Sequence, residues 1–140
     1  SSVEGRGLIS VVVGTNPAAG VEISQTVPTN AQWRLISLAA TLVTDANAAN
    51  RVPTIVFDDT TDFYYRSGQG PLVTANQTAI LVFADIGVTD FNGITATVQC
   101  IPQNLMLRGG DRIRTITAGI LAGDNWGAPT FLVEEWLTGA

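Results

Sequence analysis

The chain has 140 residues, enough for one domain around one core, with 46% hydrophobic and only 14% charged residues. A formal net charge of −5 argues against a protein that grips nucleic acid by its phosphates, which takes a basic patch that only Arg112 and Arg114 approach. With no histidine, no lysine and a single cysteine, Ser-His-Asp and Cys-His catalysis, His-based zinc, thiolate clusters, Schiff bases and P-loops are all excluded.

So few charges leave the surface to Thr, Ser, Asn, Gln and Gly. All seven cations are arginines. Arg is the cation favoured in interfaces, so the imbalance fits either a surface contacted by other subunits or a genome composition bias. Cys100 has no partner for an internal disulfide, and its apolar run predicts a buried thiol. No run approaches eighteen apolar residues, and no charged-then-apolar signal opens the chain, so no membrane partner is expected. A start at Ser1 fits loss of an initiator Met and synthesis in the cytoplasm, although a cleaved signal leaves no trace.

Residues 1–6 are polar and contain glycine, which predicts a loose arm that gains order only if a neighbour receives it; residues 7–140 form the single domain. Leu8 to Val13 is a β-rich run closed by Gly14-Thr15-Asn16-Pro17. Val21 to Val27 alternates, with Val21, Ile23, Gln25 and Val27 directed inward. Between Pro28 and Pro53 lies the stretch that organises the chain. From Trp33 to Thr44 no Gly or Pro intervenes, and Ile36, Leu38, Ala40 and Leu42 form an apolar file at period two. The odd positions, Trp33, Leu35, Ser37, Ala39, Thr41 and Val43, are more mixed. A helix is the rival reading, but the β-branched Ile36, Thr41, Val43 and Thr44 favour one strand of about 40 Å.

Val52 to Phe57 begins with Pro53, which suits a strand start or an edge, and the turn Asp58 to Asp62 makes a hairpin with Phe63 to Arg66. Gln77 to Ala84 is a strand with Ala79, Leu81 and Phe83 on one side and Ile80 and Val82 on the other. Asn92-Gly93 predicts a tight reversal before the strand Thr95 to Ile101. Pro102 to Leu107 reads as a connector, Arg112 to Leu121 as a strand, Ala122 to Pro129 as a loop and Thr130 to Thr138 as the last strand. In that strand Glu135 shares a parity with Phe131 and Val133, so neither face is clean; a bulge or an interface explains it equally well. A hairpin around Asn125 would set Arg114 opposite Trp136. About nine strands without a helix predict an all-β fold, an antiparallel β-sandwich of jelly-roll type. Its core is expected to include Ile36, Leu38, Leu42, Phe57, Leu81, Phe83 and Val98.

The chemistry that survives the exclusions is sparse. A glycosidase needs only two carboxylates, for which Asp58, Asp59, Asp62, Glu134 and Glu135 are available. Glu134 and Glu135 are adjacent on a strand and point to opposite faces. Asp58 to Asp62 has a β-turn composition and lacks the closing Glu of a calcium loop. Tyr64, Tyr65, Trp126 and Trp33 are aromatics that either stack on a sugar or pack in the core. Asn76-Gln77-Thr78 matches a glycosylation acceptor, which bears only on a secreted eukaryotic protein. No catalytic residue, cofactor or metal site is assigned.

Trp33-Arg34-Leu35, Ser37-Leu38, Ala40 to Thr44 and Ala49-Asn50-Arg51-Val52-Pro53 resemble a segment of small structural proteins of tailed bacteriophages. Gly123-Asp124-Asn125-Trp126 and Leu132 to Trp136 are similar to the end of the same proteins. The resemblance implies a β-sandwich virion component, such as a head decoration (cement) protein, without enzymatic activity. On that reading the partners are the major capsid protein or other virion proteins, the chain is a homo-oligomer with a trimer favoured, and its place is the virion, assembled in the host cytoplasm. The residues expected to carry contacts are Arg6, Trp33, Tyr64, Tyr65, Arg66, Arg112, Arg114, Trp126 and Trp136. The alternatives are a tail or adaptor subunit and a carbohydrate-binding β-sandwich module.

Overall fold

The computed structural model describes residues 5–67, 72–84 and 96–138. In chain order its strands are β1 (Leu8–Val13), β2 (Ser24–Thr26), β3 (Ala31–Val43), β4 (Val52–Asp58), β5 (Phe63–Arg66), β6 (Thr78–Ala84), β7 (Ala96–Cys100), β8 (Met106–Arg108), β9 (Arg112–Ala118), β10 (Asn125–Trp126) and β11 (Thr130–Leu137). One sheet runs β1-β11-β3-β6-β7, with β8 and β10 also paired to β3, and the other runs β2-β9-β4-β5. This is an all-β sandwich whose long axis is β3. The short strands β8 and β10 occupy the stretches read as connector and loop, because β3 is long enough to pair two strands on each side.

β3 does not keep one parity. Ala31, Trp33 and Leu35 are buried, and then Leu38, Ala40 and Leu42. The pairing with β11 skips Ile36, since Leu132 lies opposite Ser37 and Val133 opposite Leu35. One extra residue in a strand is a bulge, and it moves every side chain beyond it to the other face. The expected even-numbered file therefore holds from Leu38 onward and fails before it. Ile36 is half-buried instead of core, and Trp33, expected at a partner surface, is 1% exposed. Leu38, Leu42, Phe57, Leu81 and Phe83 are core as expected, whereas Val98 is half-buried.

Ile55 and Ile113 of the smaller sheet join the same core cluster as Phe57, so the inner faces of the two sheets pack against each other. The mixed parity of β11 has a local cause. Phe131 and Val133 enter the core, and Glu135 continues on their side because its carboxylate accepts the Trp33 indole N–H at 2.7 Å. Glu134, on the opposite face, accepts Arg34 Nε at 2.9 Å and the Gly7 N–H at 3.0 Å.

Three further expectations change. β6 and β7 pair in parallel, so they are not two arms of one hairpin, and the larger sheet is mixed. The expected reversal at Asn92-Gly93 lies between these two strands, outside the described residues. β9 and β11 belong to different sheets, so Arg114 sits opposite Val56 and Trp136 opposite Gln32, not opposite each other. Cys100 is exposed: it ends β7 at the rim of the larger sheet and, among the described residues, pairs only with Ala84.

Candidate functional site

Two segments singled out in the sequence, around Arg51 and around Asp124, meet in space. The Arg51 side chain is fully buried and forms a bidentate pair with the equally buried Asp124, Nε to Oδ2 and Nη2 to Oδ1, both at 3.0 Å. Arg51 also donates to Asp45 Oδ1 at 2.9 Å and to the Ala49 carbonyl at 2.8 Å. Asp124 in turn accepts the backbone N–H groups of Asp45 and Leu121. Burial pushes the Asp124 carboxyl up, but the Arg51 bond and the two backbone donors outweigh it and hold the group below 3.8. The loops after β3, before β4 and before β10 are tied by this one cluster, in which every lone pair that burial strips of water has a donor.

Glu22 performs a similar task beside it. Its carboxylate accepts the hydroxyls of Thr115 and Thr117 and the indole N–H of Trp126. Trp126 is 1% exposed. Trp33 and Trp126 are thus core residues with satisfied N–H groups, and neither is available to a partner or to a sugar.

On the outer face of the smaller sheet the register places Arg112, Asp58 and Phe63 in one row and Arg114, Val56 and Arg66 in the next. Asp58 accepts Arg112 Nε at 2.8 Å, Arg114 Nε at 2.7 Å and the Thr60 N–H at 3.0 Å. Burial raises the pKa of this carboxyl, and those hydrogen bonds more than reverse the effect, so it lies below the usual aspartate value. A general acid near neutral pH needs the opposite shift. Asp59 accepts the N–H groups of Thr61 and Asp62, the geometry of a turn carboxylate.

The outer face of the larger sheet has a different chemistry. In register across it lie Val13, Thr130, Ala39, Val82 and Val98, and beside them Val11, Leu132, Ser37, Ala84 and Cys100. Neither row holds a charge; the nearest is the Arg34–Glu134 pair toward one end. Ile9, Val11 and Val13 are 54%, 62% and 68% exposed. Among the described residues β1 pairs only with β11, and none of them pairs with its other backbone edge.

The contact residues expected from sequence divide accordingly. Arg66, Arg112 and Arg114 gather on the smaller sheet, with Tyr64 nearby donating its hydroxyl to Asp111. Tyr65 is half-buried against Phe57 and donates to the Cys100 carbonyl. Arg6 is exposed, and Trp136 donates to the Gly5 carbonyl at 3.2 Å. The arm's first four residues lie outside the described ones. The expected set omitted Ile9, Val11 and Val13, although the uncharged β-branched run of β1 was the available signal. Comparison of the chain with protein-family models, curated proteins and solved structures returns no match.

Proposed function

We propose that this chain is a non-enzymatic structural subunit of a tailed-bacteriophage particle, a head decoration (cement) subunit that acts by burying surface against copies of itself and against capsid protein. The observation that carries the reading is the pair of uncharged rows on the outer face of the larger sheet, beside the edge strand β1, whose other edge pairs with none of the described residues. Five strands at about 4.8 Å and two same-face rows at about 6.8 Å along the strands give the uncharged rows a footprint of about 330 Å². That lies at the lower end of the roughly 300–600 Å² of the largest patch on a typical monomer and below the roughly 800 Å² per partner of a lasting interface, so strand pairing along β1 has to supply the rest of the contact. An exposed edge without Lys, Pro or a bulge is a template for further strand pairing. The resemblance of residues 33–53 and 123–136 to phage structural proteins supports the same reading.

The test is reconstitution. Purified chain mixed with capsids lacking it is expected to co-sediment at a fixed stoichiometry and to raise the temperature at which the shells open. Failure to co-sediment at any ratio, with the chain folded by circular dichroism, would contradict the proposal.

A further inference from the structure

The turn Asp58 to Phe63 and the arginines of β9 enclose a cleft of about 180 Å³, lined by Asp58, Thr60, Thr61, Phe63, Arg112 and Arg114. Asp58 holds the two guanidiniums side by side, yet they spend little of their donor capacity on it. Among the described residues Arg112 uses Nε and Arg114 uses Nε and Nη2, and both side chains remain partly exposed at 30% and 23%. Each guanidinium carries five N–H groups, so most have no partner among the described residues. The Phe63 ring, 60% exposed, lies 6.0 Å from the Arg114 guanidinium carbon and supplies an apolar wall. Thr60, a β-branched residue at a φ of 76°, is held in the left-handed region at the rim by its bond to Asp58.

We propose that this cleft receives one acidic side chain, Asp or Glu, from a protein partner. The charge count favours a monoanion: two cations against Asp58 leave one positive charge, which a carboxylate matches and a phosphate dianion exceeds. Arg66 in the adjacent row adds to the field, while Asp62, exposed on the turn, and Asp59, folded onto its own backbone, oppose it. Size favours a side chain, because sites for whole small molecules run from about 300 Å³ upward. The guanidiniums offer paired donors to both carboxylate oxygens, and Phe63 takes the methylenes next to them. The site does not depend on which particle the chain joins.

The experiment titrates the whole chain with glutamate capped as its N-acetyl, N-methylamide, at constant ionic strength, and follows the guanidinium Nε–H signals by NMR. The Arg112 and Arg114 signals are expected to move saturably, with a dissociation constant on the order of 10 mM. The capped glutamine, neutral and of the same shape, is expected to leave them in place. Arg112→Gln leaves Asp58 its bonds from Arg114 and Thr60, and is expected to weaken binding by roughly tenfold. An equal response to the glutamine control, unchanged affinity in Arg112→Gln, or no saturable shift would overturn the site. Tighter binding of glucuronate or inorganic phosphate than of the capped glutamate would overturn the assignment of its occupant. Should Arg112→Gln fail to fold, the glutamate–glutamine comparison on the natural chain decides alone.

Discussion

Asp124 is the residue on which the loop end of the sandwich depends. Asp124→Asn keeps the shape but leaves the Arg51 guanidinium buried with half its counter-charge gone, and removing one partner of a buried pair typically costs about 3–5 kcal/mol. Urea denaturation should show that loss as a lower midpoint with an unchanged slope; a loss under about 1 kcal/mol would mean that Asp45 alone suffices for Arg51. The same groups set the acid limit. Asp58 and Asp124 both sit below 3.8 when folded. Their contribution is present above the unfolded aspartate value of about 3.9 and is lost as pH falls through the folded values. Urea midpoints should therefore drop below about pH 4, and Asp124→Asn should flatten that limb.

At the scale of the element, the bulge in β3 is decisive. Leu38→Ala empties a fully buried site and should cost about 2–5 kcal/mol, whereas Ile36→Ala, at the bulge, should cost about 1 kcal/mol or less. Equal losses would mean that the strand runs without the bulge. The sequence around it explains what was legible. Strand periods, turns and the sandwich class followed from alternation and from Gly, Pro, Asn and Asp, which act locally. The bulge was invisible because Leu35 and Ile36 are both apolar, so the pattern reads equally well in either parity, and only pairing with β11 decides. The partition of β9 and β11 into different sheets is likewise set by long-range pairing. Whether Trp33 and Trp126 stack on a partner or pack in the core was not legible locally, because the carboxylates that satisfy them, Glu135 and Glu22, lie 102 and 104 residues away in sequence.

At the scale of the whole molecule, the outward charges of the described strands concentrate on the smaller sheet. The smaller sheet turns Arg66, Arg112, Arg114 and Asp58 outward, and the larger turns out two uncharged rows, with the Arg34–Glu134 pair at one end and a β1 edge that pairs with none of the described residues. A subunit with one apolar and one cationic face can pack against copies of itself through the first and leave the second for a different partner. Ties at the β1 end are consistent with that edge being held ready: Gly7 donates to Glu134, and a side chain at Gly7 would come within 2.7 Å of the Glu134 side chain and the Glu135 carbonyl. The measurement that tests this account most directly is sedimentation velocity over a concentration series, on the natural chain and on Val11→Asp. Val11 is 62% exposed, so the change costs the isolated fold little while placing a charge in the middle of the uncharged face. The account predicts a concentration-dependent oligomer, a trimer by the phage reading, that Val11→Asp reduces to a folded monomer; a natural chain that stays monomeric throughout, or a variant that assembles just as well, would contradict it.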